Sequence, residues 1–312
     1  MRIVILGGGA IGRLFGSFLI KGGNNVTLIE NNRITLDALQ KHGIGLQPDN
    51  SSAEEVDRYP ITALESADSI DAADLVLVLV KSQATLAAIK DAAHLIGNDC
   101  PLLSIQTGLG NLEIASQIIP RENILMGITF MSGTALTEGK VSKGAGNKTY
   151  IGEINGTFSS RLEKINTMFN RCGIETQMVK RIIGRLWCKV LTYSAINPVS
   201  AILQVPNGVL VSRMESITLM KRLLDEGQDV ARAHSIELVY PDLYELLFDA
   251  CENRANNLSA MLQDILNELP TEIDAQNGAI VRYAKERNIS VPTHQTMVEL
   301  IKLQECWKPE SR

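Results

Sequence analysis

Along the first 180 residues, short aliphatic runs alternate with segments of helical periodicity. The runs at 2–6, 25–29, 75–80, 102–105, 124–129, 149–152 and 176–179 are rich in β-branched and aliphatic residues and predict strands. Between the early ones lie "IGRLFGSFLIKGG", "ITLDALQKHG" and "SQATLAAIKDAAHLIG", each with the apolar spacing of a helix. Strands alternating with helices of that length indicate βαβ units and a mostly parallel sheet. From Arg181 onward the strand signal fades, and helical patterns cover 183–203, 210–235, 241–267, 272–287 and 295–305. The pattern therefore predicts an α/β domain over 1–180 followed by an all-α domain over 181–312. The polar stretch "QPDNSSAEEVDRYP" reads as a surface loop.

One helical segment does not fit the usual amphipathic pattern. "LWCKVLTYSAINP", residues 186–198, is apolar on nearly every side, as a buried helix is. Lys189 stands in its middle, although lysine is almost never fully buried without a partner. At helical spacing Lys189, Tyr193 and Asn197 fall on one narrow stripe, and Trp187, Val190, Leu191 and Ala195 cover most of the rest. The residues alone leave two readings: a lysine working in a site, or a structural partner of Asp264 or Glu272.

Composition narrows the classes. The chain has 312 residues, 45% of them hydrophobic and 21% charged, with a formal net charge of −5. A mild acidic excess argues against a nucleic-acid partner, which favours a basic face. Cys100, Cys172, Cys188, Cys251 and Cys306 lie far apart without a CxxC pair, so neither a disulfide framework nor a zinc site is suggested. Reduced thiols and a cytoplasmic setting are the simplest expectation. His42, His94, His234 and His294 are isolated and read as packing or surface residues rather than metal ligands. The apolar run in "MRIVILGGGAIG" is too short for a signal peptide. "AADLVLVLV" falls well short of the roughly 20 residues that span a bilayer, so no membrane association is expected. Apolar faces in the helical half could pair two copies into a homodimer or could equally be core.

The N-terminal segment carries more specific chemistry. "VILGGGAIGRLFGSFLIKGGNNVTLIENN" holds Gly7-x-Gly9-x-x-Gly12 between a predicted strand and helix, and a second strand ends in Glu30, 18 residues past Gly12. That context is what a dinucleotide-binding fingerprint requires. Gly7 permits the tight turn, Gly9 lets backbone approach the pyrophosphate, and Gly12 allows close helix–strand packing. The pyrophosphate would rest on the helix N-terminus, with Ala10 and Ile11 in its first turn. A carboxylate at Glu30 accepts from both ribose hydroxyls of NAD and repels a 2′-phosphate, which favours NADH over NADPH. Asn31 and Asn32 follow it, and Arg33 is the nearest cation that could swing back to a phosphate.

With these motifs on the page, the chain resembles the ketopantoate reductases (2-dehydropantoate 2-reductases) of the 6-phosphogluconate dehydrogenase-like group. The resemblance covers nearly the whole chain. It rests on GGGAIG, "VLVKS" around Lys81, "SIQTGLGN" at 104–111, "EGKVSKG" at 138–144, "YIGE" at 150–153, "WCKVLTYSAINPVSAI" and "LQDILNELPTEIDAQNG" at 262–278. It implies a Rossmann domain, a helical domain and an active site in the cleft between them. The implied reaction is reduction of a small 2-oxo acid to a 2-hydroxy acid by NADH or NADPH, with ketopantoate and pantothenate synthesis as the default. The family's catalytic lysine falls on Lys189 and its catalytic glutamate on Glu272. A positioned ammonium stabilises charge on the reduced oxygen and donates its proton. Surrounded by apolar residues, its pKa is expected to be lowered. Glu272 would hydrogen-bond the substrate and hold the lysine.

The same resemblance exposes departures. The family's asparagine that contacts nicotinamide and substrate is Thr107 here, and the first asparagine of its KxxxNxxxN helix is Tyr193. A serine of the substrate pocket is replaced by Ala260, with Ser259 adjacent, whereas Lys81, Asn197 and Asp264 match. A hydrogen bond to a charged group contributes roughly 1.5–3 kcal/mol, about ten- to a hundredfold in affinity. Losing several of them would cost the family substrate much of its binding, unless the new residues replace those bonds. A reductase of a different 2-oxo acid therefore stays open, as does a non-catalytic NAD(P)-binding sensor. Thr271 followed by Asp274 also reads as a helix N-cap with its boxed acid, in which Glu272 merely complements the dipole.

Overall fold

A computed structural model describes residues 1–47, 56–144, 146–253 and 255–306. The chain divides into two compact units: Met1–Gln106 with Asn111–Ile182, and Thr107–Gly110 with Ile183–Arg312.

In the first unit β1 (Arg2–Leu6), α1 (Ala10–Lys21), β2 (Asn25–Ile29) and α2 (Arg33–His42) form the opening βαβα run. Short strands β3 (Ile44–Gln47), β4 (Asp57–Tyr59) and β5 (Thr62–Leu64) follow, then β6 (Leu75–Val78) and α3 (Thr85–Ala92). Next come β7 (Leu102–Ser104), α4 (Asn111–Ala115), β8 (Ile124–Thr129), β9 (Gly133–Ala135) and β10 (Lys140–Lys143). β11 (Thr149–Glu153), α5 (Ser160–Arg171) and β12 (Thr176–Met178) complete the unit.

The main sheet runs β12-β11-β8-β7-β6-β1-β2-β5, with every neighbouring pair parallel except β8 with β11. Chain order reverses at β1, which pairs with both β2 and β6; such a switch point is where open α/β sheets bind ligands. β6, β7 and β8 are buried at every residue, the pattern of parallel strands covered on both faces. Leu14, Phe15 and Leu19 of α1 enter the core with Ile3 and Ile5, and Phe15 meets Phe169 of α5 edge-on at 5.7 Å.

A second sheet, β4-β3-β10-β9, does not follow from the sequence pattern. Its strands have three or four residues, too few to show alternation. β4 falls inside the polar stretch expected to be a loop; residues 48–55 of that stretch lie outside the described ones.

The second unit contains α6 (Ile182–Leu203), α7 (Asn207–Leu210), α8 (Met214–Ala233), α9 (Leu243–Glu252), α10 (Ala260–Leu266), α11 (Asn277–Glu286) and α12 (Pro292–Cys306). The single helix expected over 241–267 is two, because backbone around Ala255–Asn257 pairs with Asn207 and Gly208 of α7 instead of continuing the helix. The helix expected from 272 starts only at Asn277: Thr271 Oγ1 accepts from Ile273 N, and a turn occupies Glu272–Gln276. Among the described residues no helix is long and apolar enough to cross a membrane.

Four helices of this unit meet at His294, which is fully buried. Its Nε2 lies 2.9 Å from the Leu223 carbonyl and must donate, so Nδ1 accepts from Asn277 Nδ2 at 3.0 Å. Asn277 Nδ2 also donates to the Ser194 carbonyl of α6. Glu226 of α8 caps α12 by accepting from the Thr293 and His294 amides. Burial lowers the imidazole pKa from 6.5 to about 4, against the opposing carbonyl bond and Glu226. The folded imidazole is therefore neutral where the unfolded one binds a proton, and stability falls as pH drops from 6.5 towards about 4. A shift of that size corresponds to about 3 kcal/mol at most. Urea unfolding of wild type and His294→Gln should show the variant less stable at pH 7 and the gap narrowing down this window. Parallel pH curves would mean that His294 is not the titrating group.

Candidate active site

The glycine loop joins β1 to α1. Gly7 has φ +110°, and a Cβ there would sit 2.8 Å from Val80 N, so the turn next to β6 requires glycine. A Cβ on Gly12 would lie 1.9 Å from the Gly7 carbonyl, which fixes how closely α1 can approach the loop. Gly9 is different: a Cβ there would meet nothing within 4 Å. The first helical bond runs from Arg13 N to Gly9 O, leaving the N–H groups of Gly9, Ala10, Ile11 and Gly12 without intrahelical acceptors. Together they form an open backbone cradle suited to an anion.

Glu30, at the end of β2, is fixed by the same loop. Its Oε2 accepts from Gly8 N at 3.0 Å and its Oε1 from Asn32 N at 2.7 Å. Asn31 is exposed, and Asn32 caps α2 through Thr35 N. Arg33 is drawn away from Glu30, with Nε 3.3 Å from Asp37 and Nη1 3.6 Å from Glu65. Lys81 is exposed and opens a short 3₁₀ turn after β6. Behind it Gln106 donates to Val80 O and Thr85 Oγ1, and Thr85 donates to Asn111.

In the helical unit the stripe on α6 exists as spaced. Lys189 is only 8% exposed and Asn197 3%, while Tyr193 is half-buried. Lys189 Nζ donates to Thr107 Oγ1 at 3.0 Å and lies 6.0 Å from the centre of the Tyr193 ring. Burial raises the thiol pKa of neighbouring Cys188, so it stays protonated. The segment Thr107–Gly110 is tied to the turn that carries Glu272, because Leu109 N donates to Ala275 O at 2.8 Å. Asn197 Nδ2 donates to Gln276 Oε1 at 2.9 Å, joining α6 to the same turn. Glu272 and Asp264 are half-buried and Ala260 is exposed. Ser259, adjacent to Ala260, is committed to capping α10 through Leu262 N.

Lys189 thus meets both Thr107 and Tyr193, and Asn197 and Glu272 are joined through Gln276 and the turn around it. Gln276 was not singled out by sequence reasoning, though it lies in "TEIDAQNG". Among the described residues no group of three His, Cys, Asp or Glu is placed to hold a metal ion. The set offers a buried proton donor, hydroxyl and amide groups, and a carboxylate, which suits acid catalysis on a small polar molecule.

Comparison with known proteins agrees over the full length. The family described as Ketopantoate reductase PanE/ApbA matches residues 3–156, and Ketopantoate reductase PanE/ApbA C terminal matches 181–305. The chain is 33% identical over 306 residues to a 2-dehydropantoate 2-reductase of Pyrococcus horikoshii, covering 98% of each. A PanE/ApbA family ketopantoate reductase from Ralstonia eutropha is structurally similar with TM-score 0.88 and 25% identity, covering 98% of this chain and 99% of that one. D-mandelate dehydrogenase with NADH and anilino(oxo)acetate shares the fold, with TM-score 0.91 at 24% identity over 98% of this chain and 99% of that one.

Packing at the loop gives a direct test. Gly12→Ala forces the Gly7 carbonyl to move and should lower stability in urea by about 1–3 kcal/mol. Gly9→Ala enters open space and should cost less than about 1 kcal/mol. Equal losses for the two would contradict the loop geometry.

Proposed function

The chain belongs to the ketopantoate reductase family, and on that premise we propose that it reduces 2-dehydropantoate to pantoate with a nicotinamide cofactor. The observation that carries the reading is the buried Lys189 ammonium, hydrogen-bonded to Thr107 within a loop tied to the Glu272 turn. The open cradle at Gly9–Gly12 and the fixed Glu30 carboxylate fit a dinucleotide. When bound, the nicotinamide supplies the hydride. Lys189 meets the charge that develops on the substrate's keto oxygen and gives it a proton. Low exposure lets a single ammonium act strongly there, since little water screens it. Glu272 orients the substrate and the lysine, and Tyr193, Asn197, Ala260 and Asp264 line the substrate's place. Lys81 and Thr107 contact the cofactor.

NADH is the preferred reductant in this reading. A carboxylate held by two backbone amides cannot turn away from a 2′-phosphate, and Arg33 is engaged by Asp37 and Glu65. The second reading, a reductase of another 2-oxo acid, is favoured by Tyr193, whose ring lies beside the ammonium where the family has a smaller amide.

Initial rates with ketopantoate should show turnover, with kcat/KM higher for NADH than for NADPH by at least about tenfold. A preference for NADPH would overturn the role given to Glu30. Silence with ketopantoate but turnover of another 2-oxo acid would select the second reading.

Lys189→Met should lower kcat by roughly 10²–10⁴. Thr107→Val, which removes one acceptor of the lysine, should cost about tenfold in kcat/KM. Thr107→Asn should lose less. Full activity in Lys189→Met would remove it from the chemistry.

A further inference from the structure

Arg13 follows Gly12 in the first turns of α1 and is only 5% exposed. Arginine is rarely so buried unless it is paired. Here Nε donates to the Gly8 carbonyl at 2.7 Å, and Nη1 donates to the Leu136 carbonyl at 2.9 Å and the Lys140 carbonyl at 2.8 Å. Among the described residues no carboxylate forms an ion pair with it, so its charge is solvated by carbonyls and not neutralised by contact. Burial lowers its pKa, and Glu30 opposes that effect through space. A guanidinium nevertheless remains charged.

The bond to Gly8 sets a direction. Gly8 is held at both ends, its N–H by Glu30 Oε2 and its carbonyl by Arg13. A trans peptide is planar, with N–H and C=O pointing opposite ways. Turning the Gly8 carbonyl to Arg13 therefore turns the Gly9 N–H to the other side. That N–H has no acceptor among the described residues, and the space at Gly9 is open.

We propose that Arg13 is a positioning residue for the dinucleotide: it locks the Gly8–Gly9 peptide so that the Gly9 N–H is presented to the cofactor's pyrophosphate, and it sets a buried positive charge behind the loop. This rests on reading the glycine loop as a nicotinamide dinucleotide site. A simple pin for the 136–140 turn would need hydrogen-bond donors but no charge and no link to Gly8. Arg13→Gln keeps donors and removes the charge, and Arg13→Lys keeps the charge and loses the planar fork.

Calorimetric titration of the full-length protein with NADH, and separately with ADP-ribose, tests the assignment. Arg13→Gln should weaken both by roughly ten- to a hundredfold, the scale of one hydrogen bond to a charged group. In steady state the loss should be carried by KM for the nicotinamide and not by KM for the 2-oxo acid, a split that loss of fold alone would not produce. Arg13→Lys should fall between, and it carries the test if Arg13→Gln does not fold. Binding of both probes within about twofold of wild type by a folded variant would overturn the role of Arg13. Failure of the wild type itself to bind NADH, ADP-ribose or, in a parallel titration, NADPH would instead overturn the dinucleotide reading of the loop, and this assignment with it.

Discussion

An ammonium on a helix with no polar face has to find acceptors within the fold, and the helical unit is arranged around that requirement. Taking a lysine out of water without compensation costs several kcal/mol. One acceptor comes from Thr107, a residue far away in the chain whose short segment Thr107–Gly110 groups with the helices although Gln106 and Asn111 belong to the sheet unit. Leu109 N then fixes that segment to Ala275, and Gln276 fixes the same turn to Asn197. One desolvated charge thus brings a loop, a helix and a turn into register. These three places carry Thr107, Lys189, Tyr193, Asn197 and Glu272, to which the catalytic and most of the binding roles are proposed.

The glycine loop solves the opposite problem. There the backbone must stay unsatisfied if, as proposed, its N–H groups are the binding surface. Leaving donors open is tolerable only if everything else about the loop is fixed. Gly7 and Gly12 fix it by contact distances that no side chain could share, and Gly8 is fixed by Glu30 on one side and Arg13 on the other. Acidic and basic side chains here act on the peptide itself, so a residue read as a ribose ligand also has a structural duty. Glu30 is for that reason less free to change than a solvent-exposed selectivity residue would be.

How much of this was legible in the sequence depends on the range of the interaction. The strands of the parallel sheet and their helices were visible, because fully buried runs and helical spacing are local signals. β3 and β10 were not, because each is short and is stabilised by a partner nearly a hundred residues away. The break between α9 and α10 was hidden for the same reason, since Ala255 and Asn257 pair with backbone of α7. In the site, Lys189 announced itself as a charge in the wrong place, and the glycine spacing announced the loop. Thr107 had no signal of its own and entered only through the resemblance. Arg13 carried no signal of its own, because the carbonyls it reaches outside its own loop come from residues 136 and 140.

The departures at Thr107 and Tyr193 can be separated from the chemistry by asking what each atom has to do. Thr107 Oγ1 already accepts from Lys189, so its single hydroxyl has one proton left to donate where an asparagine amide has two. Tyr193 presents its ring to the ammonium, a favourable contact that needs no hydrogen bond. Both changes therefore leave the ammonium supported while reducing the amide groups available to a substrate. In the proposed reading, a site altered in this way keeps its ammonium and shifts selectivity towards whichever 2-oxo acid fills the space beside an aromatic ring. Selectivity built from shape is weaker than selectivity built from paired hydrogen bonds. It follows that this chain should discriminate among 2-oxo acids less sharply than a relative that retains both asparagines.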